Sequence, residues 1–283
     1  MRTIKKIHQA EYRPIADLIT YSPLPTRTLS QVDPFIFLNH HGFQHYPANN
    51  RGLPFGPHPH RGMETVTFII EGDIMHKDSS GHESIIYGGG VQWMTAGSGL
   101  IHAEVSSEQF KKEGDDLEIL QLWLNLPAKL KMTKPFYLGL QKDEIPTISL
   151  ANDAIQVNLI SGKWGETAGA FESKTDVFLS TIAFKANAEL NVDVAKESNI
   201  FFYIIRGAMT VNEKNVEARQ LVEFQNDAES INIKTHSDSL IIFGHAVPFN
   251  EPMVAQGPFV MNTQEEIYQA YIDYQQGKFG TWQ

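Results

Sequence analysis

From Met1 to Pro127 apolar residues alternate with polar ones in short runs, and turn residues interrupt those runs at close intervals. That period of two, unlike the 3.6 of a helix, restricts the chain to a mainly β fold. In the segment 64–70 the alternation predicts a half-buried strand, with Val66, Phe68 and Ile70 on one face and Thr65 and Thr67 on the other. Glu71-Gly72-Asp73 then turns the chain. The segment 117–126 is apolar on both faces apart from Glu118, Gln121 and Asn125, which suits a central strand of a sandwich or barrel, and Pro127 ends it.

A length of 283 residues accommodates two domains of ordinary size or one large one, each able to bury a core. Residues 128–146 mix lysine, proline and glycine with little periodicity, so the inter-domain crossing is placed there. In the second β region that follows, Phe201-Phe-Tyr-Ile-Ile-Arg-Gly207 is similar to Thr67-Phe-Ile-Ile-Glu-Gly72, an apolar strand ending in a charge and a glycine. The match suggests a repeat of whole domains. Near the end, Thr263-Gln-Glu-Glu266 offers an N-cap with acids in the first turn, and Ile267, Ala270, Tyr271 and Tyr274 follow at helical spacing before Gly277. This predicts a terminal amphipathic helix whose aromatic stripe is a packing face.

The chain has no cysteine. Disulfide frameworks, thiolate catalysis and cysteine-held zinc or iron-sulfur clusters are therefore excluded, and any metal must be bound by nitrogen and oxygen. The formal net charge of −10 argues against direct binding of nucleic acid or anionic lipid. Arg2, Lys5 and Lys6 are not followed by the apolar stretch of a secretory signal, and no run of roughly 18 apolar residues implies a membrane span. The cytoplasm is the expected compartment.

The segment Gly56-Pro-His58-Pro-His60-Arg-Gly-Met-Glu64 places two imidazoles two residues apart, on one side of an extended chain, where both can address one metal ion. A second segment, Gly88 to Glu104, runs through a glycine-rich turn, a short apolar strand and Gly97-Ser-Gly99 to His102-Ala-Glu104, again two potential ligands two residues apart. Two strands would supply three nitrogens and a carboxylate oxygen, leaving one or two positions for water, dioxygen or substrate. The parity of Glu64 matches that of His60, so spacing leaves both Glu64 and Glu104 as acids to consider. Nothing in their spacing makes His40, His41, His45 or His76 ligands, and His236 and His245 are isolated. Phe55, Trp93 and Met94 are core residues with a potential place at the pocket wall.

These segments resemble the motifs of the cupins, and of the pirin family in particular. The resemblance is carried by His58-Pro-His60-Arg-Gly, Glu64-Thr-Val-Thr, Glu71-Gly72, Gln92-Trp-Met-Thr-Ala-Gly97, Asn125-Leu-Pro-Ala and Gly257-Pro-Phe-Val-Met-Asn262, and Asp33-Pro-Phe-Ile-Phe-Leu38 is similar to a further structural strand of that family. It implies an all-β bicupin: an N-terminal barrel over 1–135 with the metal, a metal-free barrel over 136–258, and a C-terminal segment and helix over 259–283 packing back on the first barrel. The carboxylate it implies as fourth ligand is Glu104, with Glu64 a structural acid near Arg61. Aligning Gly207 with Gly72 puts Asp193 and Ala195 where His58 and His60 stand, in keeping with a second barrel without metal.

Three imidazoles and a carboxylate suit several divalent metals, and the resemblance implies iron(II) at His58, His60, His102 and Glu104. It further implies a quercetin 2,3-dioxygenase, acting on a flavonol and dioxygen, with Glu104 as catalytic base. The alternative is a metal-dependent regulator that binds a transcription factor or a metabolic enzyme. An oxygen-independent sugar isomerase is a third expectation.

Overall fold

The computed structural model describes residues 1–282. They are mostly β, with two α-helices among them, Glu108–Glu113 (α1) and Gln264–Gln275 (α2). None of the described helices is long and apolar enough to cross a membrane. The chain divides into two compact units, one built from Tyr12–Thr20, Ile36–Lys142 and Phe249–Gln283, the other from Met1–Glu11, Tyr21–Phe35 and Asp143–Pro248.

The first unit contains strands Phe35–Tyr46 (β1), Phe55–His60 (β2), Met63–Glu71 (β3), Asp73–Asp78 (β4), Glu83–Tyr87 (β5), Val91–Thr95 (β6), Leu100–Val105 (β7), Asp115–Asn125 (β8) and Phe136–Leu140 (β9). One sheet runs β9-β6-β3-β8-β1 and the other β2-β7-β4-β5. Strand β3 is buried on both faces over most of its length, not half-buried as its alternation suggests: Val66 and Phe68 are covered, and so are Thr65 and Thr67. The polar face looks into the barrel, where Thr67 donates to Glu104, so the alternation records a polar interior and not solvent. The three polar residues of the segment 117–126 each have a buried partner: Glu118 with His40 at 2.9 Å, Gln121 with Glu104, and Asn125 with Lys131 at 2.7 Å.

The second unit repeats this order. Its larger sheet runs Ile4–Gln9, Gln220–Phe224, Asn199–Arg206, Ser239–Ala246, Phe178–Phe184, Ile155–Ser161 and Thr147–Leu150. Glu189–Asp193, Ser230–Thr235, Ala208–Val211 and Lys214–Glu217 form the smaller one. Asn199–Arg206 thus occupies the place of β3, and both strands end in a glycine with φ in the left-handed region, Gly207 at 91° and Gly72 at 83°. The interior is aliphatic and aromatic, including Ile182, Phe202, Ile204, Ile241 and Phe243.

The unit boundaries depart from the expected 1–135, 136–258 and 259–283. Ile4–Gln9 pairs with Gln220–Phe224 and so belongs to the second unit, while β9, inside the expected crossing, pairs with β6 through Tyr137 and Met94. Chain order therefore does not set the division; edge-strand pairing does. The segment from Phe249 onward belongs to the first unit. There Thr263 and Glu266 form a capping box, Ile267, Ala270 and Asp273 are the buried face of α2, and Tyr271 meets Phe259 edge-on at 4.8 Å.

Candidate metal centre

Antiparallel pairing of β7 with β2 sets His102 directly opposite His58 and Leu100 opposite His60. Directly paired residues point to the same face, and so do residues two apart on one strand, so all three imidazoles converge. Their ring centroids are 4.5 Å (His58–His102), 4.9 Å (His58–His60) and 5.0 Å (His60–His102) apart, and one ligand nitrogen from each lies within 4.8 Å of the others.

Two of the rings have fixed tautomers. His58 Nδ1 lies 2.7 Å from the Gly56 carbonyl and His60 Nδ1 lies 3.0 Å from that of Pro258. A carbonyl only accepts, so both Nδ1 atoms carry the proton and both Nε2 lone pairs are left for a ligand. His60 Nε2 and both nitrogens of His102 are buried without a hydrogen-bond partner. Burial, reinforced by His58 and opposed by the Pro258 carbonyl, holds the His60 pKa down to about 3. Burial, then His60, His58 and His76, lowers that of His102 well below the ordinary histidine value. Buried neutral nitrogens with convergent lone pairs fit a divalent transition metal, which would supply the missing partner. Half-buried His58 forms the more open edge of the group.

Glu104 is on the same face of β7, but the three-membered group consists of imidazoles alone. Its carboxylate spans the barrel. Oε1 accepts from Thr67 Oγ1 at 3.0 Å and from Gln92 Nε2, and Oε2 accepts from Gln121 Nε2. Gln92, Thr67 and Gln121 are one cross-strand row of the opposite sheet. The acid that stood as alternative, Glu64, accepts from Thr95 Oγ1 at 2.6 Å, whereas Arg61 pairs with Asp273 of α2 at 2.8 Å and lies 4.6 Å over the Phe279 ring.

Several neighbours of the centre were not evident from spacing. His76, opposite Glu104 in the β7–β4 register, is fully buried, bonds Asp78 through Nε2 at 3.1 Å, and stacks on Tyr137 at 3.8 Å and 7°. Its ring is 5.5 Å from that of His102. Trp123 meets the His60 ring edge-on at 5.1 Å. For Gln121 the available signal was a polar residue within the apolar run 119–124, whereas His76, in the mixed strand Asp73–Asp78, carried no such signal. Of the expected pocket residues, Met94 is in an apolar cluster with Ile36, Met63 and Leu100, Trp93 is buried, and Phe55 sits 5.2 Å from His41. In the second barrel the strands that correspond to β2 and β7 pair Asn191 with Asn232 and Asp193 with Ser230. Among the described residues, His58, His60 and His102 are the one group of three or more such side chains able to hold a metal ion.

Two barrels whose smaller sheets and central strands follow the same order, one with a three-histidine centre, define a bicupin. Residues 17–124 match the family model described as Pirin, and residues 179–280 that described as Pirin C-terminal cupin domain. The chain is 34% identical over 267 residues to a Pseudomonas aeruginosa protein named "Putative quercetin 2,3-dioxygenase", covering 94% of this chain and 92% of that one. It is 37% identical over 257 residues to Pirin-1 of Arabidopsis thaliana, covering 88% and 84%. A crystal structure of quercetin 2,3-dioxygenase from Acinetobacter baumannii matches with a TM-score of 0.92 at 30% identity over 99% of each chain. The bacterial pirin YhhW of Escherichia coli, solved with nickel(II), has a TM-score of 0.68 at 19% identity over 86% of this chain and 99% of its own, a likeness of fold. This chain belongs to the pirin family.

Proposed function

We propose that this pirin is a flavonol 2,3-dioxygenase that uses dioxygen at a single iron(II) held by His58, His60, His102 and Glu104. The observation that carries the reading is the convergence of three buried or half-buried imidazoles within 4.8 Å. The 30% identity to a solved quercetin 2,3-dioxygenase over 99% of the chain supports the choice of substrate. When bound, the metal supplies Lewis acidity to the adjacent hydroxyl and carbonyl oxygens of a flavonol and a redox partner for dioxygen.

The chain's own contribution is to position and to move one proton. His58 and His60 present Nε2 because their Nδ1 protons are committed to carbonyls. Glu104 acts through Oε2, which accepts from Gln121 and keeps lone-pair capacity for the metal or for the flavonol hydroxyl proton.

The test is an assay of the iron-loaded protein with quercetin, with and without air. Oxygen uptake together with release of carbon monoxide is the expected result, and bleaching that needs no oxygen refutes the dioxygenase. Full activity in Glu104→Gln would remove the base role.

A second reading, a metal-dependent binding protein for a regulator or metabolic enzyme, is favoured by relatives such as Pirin-1 whose names carry no reaction. It predicts capture of one partner by the metal-loaded protein, loss of that capture in His58→Ala/His60→Ala, and no turnover.

A further inference from the structure

Glu104 receives hydrogen bonds from two primary amides, and a primary amide can turn either way. With Nε2 forward it donates to the carboxylate; with Oε1 forward it sets oxygen against oxygen. Each glutamine has a second neighbour, which decides the sense of Gln121 and holds that of Gln92. The indole Nε1–H of Trp123 donates to Gln121 Oε1 at 3.1 Å, and an indole nitrogen has nothing but a proton to offer. Gln121 must therefore turn Nε2 toward Glu104. On the other side, the Tyr137 hydroxyl donates to Gln92 Oε1 at 3.1 Å and so commits its single proton, which makes Ser84, 2.5 Å away, the donor to Tyr137. A hydroxyl can donate or accept, so on this side the acceptor-only carboxylate of Glu104 sets the sense of Gln92, with Nε2 toward it, and Tyr137 holds the Oε1 so turned.

The backbone is arranged for both chains of contacts. Gln92, Thr67 and Gln121 stand in one row, Trp123 is two residues beyond Gln121 on the same face of β8, and Gly139 lies opposite Gln92. A Cβ at Gly139 would stand 2.7 Å from the Tyr137 hydroxyl, so only glycine leaves room for that hydroxyl to reach Gln92.

We infer that Trp123 and Tyr137 are positioning residues that act through Gln121 and Gln92 to hold the Glu104 carboxylate in the orientation it needs at the metal. The inference rests on the metal reading above. It assigns Trp123 a role distinct from the packing of its ring on Phe37 at 4.5 Å, since a phenyl group would keep that packing and lose the N–H.

The experiment is a double-mutant cycle on metal binding, with cobalt(II) as probe, affinity taken from competition with a chelator and geometry from the visible absorption of the ion. Trp123→Phe is expected to weaken binding about tenfold and to alter the spectrum, within the range typical for partners of metal ligands. Gln121→Leu should weaken it at least as much, and the double variant no more than Gln121→Leu alone. Tyr137→Phe, tested against Gln92→Leu, should behave in the same way and stands in if Trp123→Phe does not fold. Additive losses, or wild-type affinity and spectrum in both aromatic variants, would overturn the inference. Absence of one-to-one cobalt binding in the wild type, or unchanged binding in His58→Ala/His60→Ala, would instead overturn the metal reading and this inference with it.

Discussion

The Nδ1 proton of His60 is held by the carbonyl oxygen of Pro258, 3.0 Å away and 198 positions along the chain. The C-terminal segment is thus part of the centre, and what fixes that segment also fixes His60. Gly62 is the closest point of approach, with φ at 81° and a hypothetical Cβ 2.0 Å from the Val260 carbonyl oxygen. Gly62→Ala should displace Val260 and Pro258 together, lowering metal affinity at least tenfold and the unfolding free energy by about 2 kcal/mol or more. Chelator competition and urea titration of the same sample measure both. Wild-type affinity in a folded Gly62→Ala protein would separate Pro258 from the centre.

Lys131 ties the same two segments. Its buried ammonium donates to the carbonyls of Gly62 at 2.9 Å and Val260 at 3.0 Å and to Asn125 Oδ1 at 2.7 Å. Lys131→Met leaves those acceptors without a donor and should cost about 2–4 kcal/mol at pH 7. Burial lowers the lysine pKa to about 8, against the partial opposition of Glu251 and Glu266. Between about pH 8 and 10.5 the unfolded chain holds a proton that the folded chain has released, so this group's contribution becomes more favourable as pH rises through that window. Urea titrations from pH 7 to 10 should show the wild type gaining stability relative to Lys131→Met. A constant difference would mean that the lysine keeps its charge throughout.

How much of this was legible follows from which interactions are local. His58 and His60 are two apart on one strand, as are His102 and Glu104, and a period of two is visible in any sequence. That β7 lies beside β2, with His102 opposite His58, is a matter of sheet register and had to come from the fold. The Thr65–Thr67 alternation was visible, but its meaning reversed, because a closed barrel can bury its polar face when Glu104 is there to accept. Least legible were Pro258, Lys131 and Tyr137. Apart from Asn125, six positions before Lys131, the partners cited for them lie 45 to 198 positions away, and a proline carbonyl carries no side-chain signature.

Metal binding should stabilise the fold in proportion to saturation, because the imidazoles converge only in the native state. At a free metal concentration about a hundred times the Kd the gain is about 2.7 kcal/mol. Thermal melts with graded cobalt(II) or iron(II) and with chelator should therefore diverge for the wild type and coincide for His102→Ala. Equal metal dependence in His102→Ala would place the ion elsewhere.

The second barrel offers an acid-sensitivity test away from the three-histidine group. His245 stacks on Phe178 at 4.7 Å and 6°, and burial, with a smaller push from Arg2, lowers its pKa to about 4. In the unfolded chain the same ring titrates near the ordinary value of 6.5. Below that value the unfolded state takes up a proton that the folded state refuses until about pH 4, so the stabilising contribution is complete above 6.5 and declines as pH falls through the interval. His245→Phe keeps the stacked ring and removes the titration. Its urea midpoint should fall less than that of the wild type between pH 7 and 4.5, and parallel acid limbs would mean that His245 protonates as readily in the fold as outside it.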